Sequence, residues 1–154
     1  EEESEQKAVI LLSGIMFLAA FILAGLSFRF GWRMLPFGVS IAAAVGFLAA
    51  YVLYGEVLRE NTFLSRTIEV QENQTVVDTG LYGVVRHPMY AVTILLFLMI
   101  PLVLGSWYAL IPFAFYPAII IARLKDEEEL LTRELAGYAA YKTKVKYRLI
   151  PFIW

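Results

Sequence analysis

The sequence has no cysteine and a single histidine in 154 residues. Disulfides and thiolate metal sites are excluded by the first fact, and a histidine-rich metal cage by the second, so no metal is expected. Charge is also scarce. Asp, Glu, Lys and Arg make up 18% of the chain, and residues 8–26, 37–54 and 88–122 contain none of them. The net charge is −1 and no basic cluster interrupts the apolar pattern, so no nucleic-acid partner is expected. A soluble helical bundle would place polar residues at every third or fourth position, and these stretches do not.

What is present in their place is hydrocarbon. The chain is 60% hydrophobic with a mean hydropathy of +0.67, against roughly 45–50% apolar residues in an ordinary soluble domain. Apolar runs of about 20 residues match the ~30 Å bilayer core at 1.5 Å rise per residue. The pattern predicts an all-α integral membrane protein, a single domain over 1–154 with four spanning helices at about 8–26, 37–54, 87–105 and 107–123. The first run is too long for the core of a signal peptide and follows an acidic stretch, and an opening Glu1 suggests a trimmed or processed N-terminus. Link 27–36 carries Arg29, Trp32 and Arg33, residues of the interfacial kind. The longer polar link 55–86, with β-branched stretches at 67–70 and 75–77 and a turn at Asp78-Thr79-Gly80, reads as an irregular cap on the membrane. Beyond Arg123 the residues Leu124, Leu131, Leu135, Tyr138, Tyr141 and Val145 recur at helical spacing among charges. This predicts an amphipathic interfacial helix over about 124–145, with Gly137 as a break or kink.

Even-numbered crossings would put the N-terminus, the 55–86 link and the C-terminal tail on one side. That side would hold Lys7, Arg59, Arg66, Arg86, Arg123, Lys125, Arg133, Lys142, Lys144, Lys146 and Arg148, eleven cations against Arg29 and Arg33 on the other. The positive-inside rule makes the richer face cytoplasmic, with both termini and any chemistry.

The third and fourth runs are separated only by Gly105-Ser106, which predicts a tight antiparallel hairpin with arms of about 17 residues, each ~25 Å long. Such a hairpin returns Arg86-His87-Pro88-Met89-Tyr90 to the level of Arg123 through Glu128. Pro88 suits the first turn of a helix, and that helix entrance offers free amides and a positive dipole end. Arg86 and His87 add donors, while Arg123, Glu127 and Glu128 supply a cation and carboxylates, with Arg123 and Glu127 on one helical face. The result is a zwitterionic cup able to hold a carboxylate, an ammonium and hydroxyls. S-adenosylmethionine carries such groups, although the spacing fits that ligand without naming it. Taken singly, Arg86 and His87 read as snorkelling interface residues, Glu127 to Glu129 as a solvated helix face, and Lys142 to Arg148 as an attraction to anionic headgroups.

Thr79-Gly80-Leu81-Tyr82-Gly83-Val84-Val85-Arg86-His87-Pro88-Met89-Tyr90 resembles the signature of the isoprenylcysteine carboxyl methyltransferase family. Arg123 with Glu127, Glu128 and Leu131, then Tyr138, Tyr141 and Leu149-Ile150-Pro151, resembles the same family's C-terminal pattern, so the likeness runs over about residues 61–154. One departure is Val92, where many relatives carry glycine. The resemblance implies a helical membrane enzyme that binds S-adenosylmethionine and releases S-adenosylhomocysteine. It implies cofactor contacts from His87, Pro88, Met89, Tyr90, Tyr82 and Glu127, and backbone contacts from Gln74, Thr75, Val76 and Val77. Arg123 matches the arginine directed at the substrate carboxylate. The implied reaction is carboxyl O-methylation of S-isoprenylcysteine or a similar lipid-linked carboxylate, the lipid tail entering from the bilayer. Three other readings stand beside it: a phospholipid amine N-methyltransferase, an NADPH-dependent sterol-type reductase sharing the Arg-His-Pro-x-Tyr region, and a non-catalytic membrane scaffold.

Overall fold

The computed structural model describes residues 2–65 and 68–154, with side chains from residue 8 onward. Two features of the sequence reading, Arg66 and Thr67, lie outside the described residues, and so does the Lys7 side chain. The helices are α1 (Glu2–Arg29), α2 (Phe37–Glu60), α3 (Pro88–Val103), α4 (Leu110–Ala114), α5 (Tyr116–Glu134) and α6 (Tyr138–Lys144), with a 3-10 turn at Gly80–Gly83. Among the described residues there is no strand, only an isolated bridge between Met34 and Ser106. The chain divides into two compact units, Glu1–Tyr51 with Ile94–Ile119, and Val52–Thr93 with Ile120–Trp154.

In the first unit α1 and α2 are long and apolar enough to cross a membrane. Their composition alone would also suit buried core helices, but their surfaces argue otherwise. Leu18 and Leu48 are each 64% exposed and Phe28 is 81% exposed, whereas the buried positions are mostly small: Ala20 and Ala24 on α1, Ala43 and Ala50 on α2. Large side chains face outward and small ones inward, the inverse of a soluble bundle and the arrangement expected where lipid tails solvate the outside. The packed centre of this unit is aromatic. Phe17 meets Phe97 and Phe113 edge-on at 4.6 and 5.1 Å, and Phe97 leans on Tyr116 at 4.7 Å. Ser27 and Ser106, both fully buried, share a hydrogen bond of 3.0 Å, and Ser106 Oγ also accepts from the Ala109 amide. The Gly105 carbonyl accepts from the Leu35 amide at 2.8 Å, which ties the Gly105-Ser106 turn to the 30–36 link.

Two expected spans differ from the structure. The third, 87–105, is helical only over the 16 residues of α3, about 24 Å at 1.5 Å per residue, short of the ~30 Å hydrocarbon core. The fourth, 107–123, is not one helix. A turn leads into the five-residue α4, Phe115 interrupts it, and α5 then runs from Tyr116 to Glu134. Prolines explain the division: Pro117 has no N–H to give the Phe113 carbonyl, and its fixed φ favours a helix start at that point.

The second unit contains the end of α2, the loop residues 61–65 and 68–79, the first turns of α3, most of α5, α6 and the tail. Leu131, Leu135, Tyr138, Tyr141 and Val145 form its buried cluster, with Val70 and Val76 packed on them. The helix expected over 124–145 is two helices. Its first part continues α5, and α6 begins after Gly137, whose φ of +87° is a left-handed conformation that ends one helix and admits the next. A Cβ at Gly137 would come no nearer than 3.9 Å to Val76, so its requirement for glycine is conformational and not steric. Gly137→Ala should therefore lower stability by about 1 kcal/mol. Gly25→Ala, where a Cβ meets nothing within 4 Å inside regular helix, should be neutral or slightly stabilising. Thermal melts in detergent check both, and equal effects would sink the argument.

Candidate functional site

Residue spacing on α5 decides the chemistry of the second unit. Leu124, Glu128, Leu131 and Leu135 follow one another at i, i+4, i+7 and i+11, a single buried stripe, so Glu128 is carried inward among leucines. Only 3% of it is exposed. A carboxylate taken out of water in this way needs cations and donors around it. Arg86 supplies Nε at 2.5 Å to Oε1, His87 places Nε2 at 3.2 Å from the same oxygen, and Arg148 donates Nε to Oε2 at 2.9 Å. Burial alone would raise the Glu128 carboxyl. Hydrogen bonds from His87, Arg86 and Arg148 outweigh it and hold the group well below the usual carboxylate range. Arg86 completes its fork on the Val145 and Lys146 carbonyls at 2.8 and 2.9 Å. The Arg86 and His87 amides donate to the Tyr147 and Arg148 carbonyls, so the tail is bonded to the residues that open α3 by both side chain and backbone.

Beside this ion pair lies a pocket with a cavity volume of about 80 Å³, open at its mouth. Gln74, Thr75, Val76, Val77, Tyr82, His87, Met89, Tyr90 and Glu127 all line it, together with Arg86 and aliphatic and aromatic residues including Leu131, Leu135, Tyr138 and Tyr141. Two residues expected at the site are not on that lining. Pro88 is fully buried at the start of α3. Arg123 stands one residue behind the wall, donating Nε to Tyr90 Oη at 3.0 Å. Val92, the departure from the family pattern, is buried, so this face of α3 packs with a branched side chain present.

Local structure explains how these groups are presented. Gly80, at φ +50°, opens the 3-10 turn, and Tyr141 Oη donates to the Tyr82 carbonyl at 2.7 Å, which fixes Tyr82 as buried. The Gln71 amide donates to Gln74 Oε1 at 2.8 Å and Gln71 Nε2 donates to the Phe63 carbonyl at 2.9 Å, bracing the extended 74–77 segment. His87 stacks on Tyr90 at 5.8 Å, one helical turn ahead, with Tyr138 Oη 3.5 Å from its Nε2. Burial pushes the Tyr82 hydroxyl up to about 12, against a weaker opposing pull from Asn61. It raises Tyr138 and Tyr141 as well, so these hydroxyls stay neutral donors at physiological pH.

Two polar atoms on the pocket lack partners among the described residues: Tyr82 Oη and Glu127 Oε2, both buried. Buried polar atoms are paired in nearly all native interiors, so orphans that converge on one cavity mark where a ligand's donors and acceptors belong. A carboxylate oxygen wants an ammonium or a hydroxyl, a phenol takes either role, and the Val76, Val77, Met89 and Leu131 walls accept a flat apolar ring. The donor set suits a small ligand with polar groups at one end and an apolar face at the other. Glu128, expected from the sequence as a carboxylate of the cup beside Glu127, is instead committed to Arg86, His87 and Arg148. Its position on the leucine stripe was the available signal.

Comparison with known proteins follows the same line. The model of the isoprenylcysteine carboxyl methyltransferase (ICMT) family matches residues 41–133. The Delta(14)-sterol reductase TM7SF2 of Mus musculus is 25% identical over 135 residues, covering 77% of this chain and 32% of that protein. The chain thus spans about a third of the length of this curated relative.

Replacing Glu128 by glutamine leaves Arg86 buried beside an uncharged partner and should cost about 3–5 kcal/mol. Arg148→Ala, at a side chain 32% exposed, should cost about 1 kcal/mol. Because the native carboxyl is depressed, the stability it contributes is complete above the ordinary value of 4.5 and is lost as pH falls toward the native one. The gap in melting temperature between wild type and Glu128→Gln should accordingly narrow below about pH 4.5. A gap independent of pH would show that Glu128 is not an ionised centre.

Proposed function

This chain belongs to the isoprenylcysteine carboxyl methyltransferase family, and from that membership we propose an S-adenosylmethionine-dependent carboxyl O-methyltransferase acting on S-isoprenylcysteine or a similar lipid-linked carboxylate. Family membership supports a membrane methyltransferase in general, and α1 and α2 fit an integral membrane protein. The observation that carries the finer reading is the pair of unpartnered atoms, Glu127 Oε2 and Tyr82 Oη, facing one pocket with apolar walls.

Glu127 and Tyr82 would hold the donor's polar groups, the 74–77 backbone and His87 would frame it, and Val76, Met89 and Leu131 would pack its base. When bound, such a donor supplies a methyl group on a sulfonium, which a nucleophile accepts in line. The acceptor needs no general base in this site, because a carboxylate is already ionised near neutral pH. The work left to the chain is binding, orientation and exclusion of water. Arg123, with its Nε on Tyr90 Oη at 3.0 Å, would orient the substrate carboxylate. Tyr90 would transmit the register of α3 to Arg123. An acceptor with a hydrocarbon tail shares its solvent with the outward-facing leucines and phenylalanines of α1 and α2. Eleven cations on one side of the expected topology against two on the other support a cytoplasmic site.

The similarity to a protein named as a sterol reductase keeps an NADPH-dependent reading in play. A 2′-phosphate wants cations that are available to it, yet Arg86 on the pocket wall is committed to Glu128 and two carbonyls. An amine N-methyltransferase would need a base to take a proton, and the single histidine is already engaged near Glu128.

Calorimetric titration of the detergent-solubilised chain separates these readings. S-adenosylhomocysteine should bind and NADPH should not; NADPH binding would favour the reductase, and binding of neither a scaffold. Glu127→Ala should weaken S-adenosylhomocysteine by about 10–100-fold, the loss of one charge-assisted hydrogen bond. Arg123→Ala should leave that affinity within about twofold and reduce turnover by about 100-fold. The reverse pattern overturns the assignment of roles, and a base-stable methylated product would point to an amine acceptor.

A further inference from the structure

The C-terminal loop is the least economical surface in the second unit if water surrounds it. Phe152 is 86% exposed, Ile153 77% and Ile150 50%, and Pro151 lies exposed between them. A frayed end could bear such exposure, but this end is built. The Leu149 and Ile150 amides both donate to the Trp154 carbonyl at 3.0 Å, and the Ile153 and Trp154 amides return to the Ile150 carbonyl at 3.2 and 3.1 Å. Arg148 lies over the Trp154 ring at 5.1 Å and Tyr147 packs on Phe152 at 5.4 Å. Phe152 sits at φ +66°, a left-handed conformation that bulky residues rarely adopt. The chain accepts a costly backbone in order to hold an apolar tip outward.

The charge beside the tip is of one sign. From residue 135 to 154 there are four basic residues, Lys142, Lys144, Lys146 and Arg148, and no acidic one. Lys144 pairs with Asp78 at 2.6 Å and Arg148 with Glu128. Lys142 donates to the Thr132 hydroxyl, and neither it nor Lys146 has a carboxylate partner among the described residues. An apolar tip next to uncompensated lysines is the composition of an interfacial anchor on an anionic leaflet, with hydrocarbon for the tip and headgroup phosphates for the lysines.

We propose that the 149–154 loop inserts into an anionic lipid leaflet, with Lys142 and Lys146 engaging its headgroups. The loop is joined to the pocket, because the residues just before it accept the Arg86 and His87 amides and Arg148 reaches Glu128. Lipid seating therefore orders the tail that holds Arg86 and His87 in place. This inference is independent of which cofactor the pocket takes.

The cysteine-free sequence allows a clean test. A Phe152→Cys chain, labelled with an environment-sensitive fluorophore and reconstituted in nanodiscs, should show blue-shifted emission and quenching by spin-labelled lipid acyl chains. Label at Glu72→Cys, an exposed loop position, should not. Adding about one-third phosphatidylglycerol to phosphatidylcholine should increase quenching at 152. Lys142→Gln with Lys146→Gln should remove that increase, each lysine counting for about fivefold in the inserted population. An aqueous, unquenched label at 152 overturns the proposal. So does quenching indifferent to anionic lipid, and so does a shielding that appears only at two or more chains per disc, which would give the loop to a second copy.

Discussion

The second unit depends on one carboxylate held out of water. Glu128 sits where helical periodicity calls for a leucine, and removing its hydration is a cost that only tight pairing offsets. Its three partners come from chain positions far apart: Arg86 and His87 immediately before α3, and Arg148 on the tail. A buried hydrophobe at 128 would pack well but would leave these segments without a common point. The ion pair therefore acts as a register pin. It decides which backbone carbonyls Arg86 meets, and through the Arg86 and His87 amides it decides where the first turn of α3 begins. Selection of one arrangement, more than gross stability, is what a buried polar cluster supplies here.

The two units obey opposite solvation rules. In the first, bulky side chains are outside and alanines inside, and the hydrogen bonds that matter are few and buried, such as Ser27 to Ser106. In the second, aliphatic and tyrosine side chains are inside and lysines and glutamates outside, as in a water-soluble domain. The tyrosines belong to that logic. Tyr141 spends its hydroxyl on the Tyr82 carbonyl and so stabilises a turn, whereas Tyr82 leaves its own hydroxyl unspent on the pocket. Both lie in one apolar environment, and only the unspent one has capacity left for a ligand.

Much of this was legible in the residues. Charge-free runs marked α1 and α2, and the Arg-His-Pro motif marked the start of α3, because lipid length and proline geometry act locally and can be counted. Residues 86 and 90 do meet 128 and 123, but the fourth run is divided and the equal-armed hairpin expected there is not what the helices form. Less visible was the interruption at Phe115. Pro112 and Pro117 stand in that run, but whether a proline bends or divides a helix depends on packing that sequence does not contain. The 124–145 periodicity passes through Gly137, but the glycine itself marks the break at which one helix ends and α6 begins. Pro88 is a buried helix start and Arg123 stands behind Tyr90, positions set by a few ångströms and not by residue type.

Glu127 and Glu128 show why adjacent identical residues need not share a role. A rotation of 100° per residue carries neighbouring side chains on α5 to different faces. One meets two arginines and a histidine and is saturated. The other turns a carboxylate oxygen into a cavity where nothing in the described chain answers it. The saturated acid cannot serve a ligand without releasing Arg86, whereas the second oxygen of Glu127, Oε2, has no partner among the described residues. Hydrogen-bond accounting thus separates the two: Glu128 is committed to Arg86, His87 and Arg148, and Glu127 keeps one oxygen uncommitted. The pinned segments are what keep an unsatisfied carboxylate oxygen on the pocket lining instead of relaxing toward water.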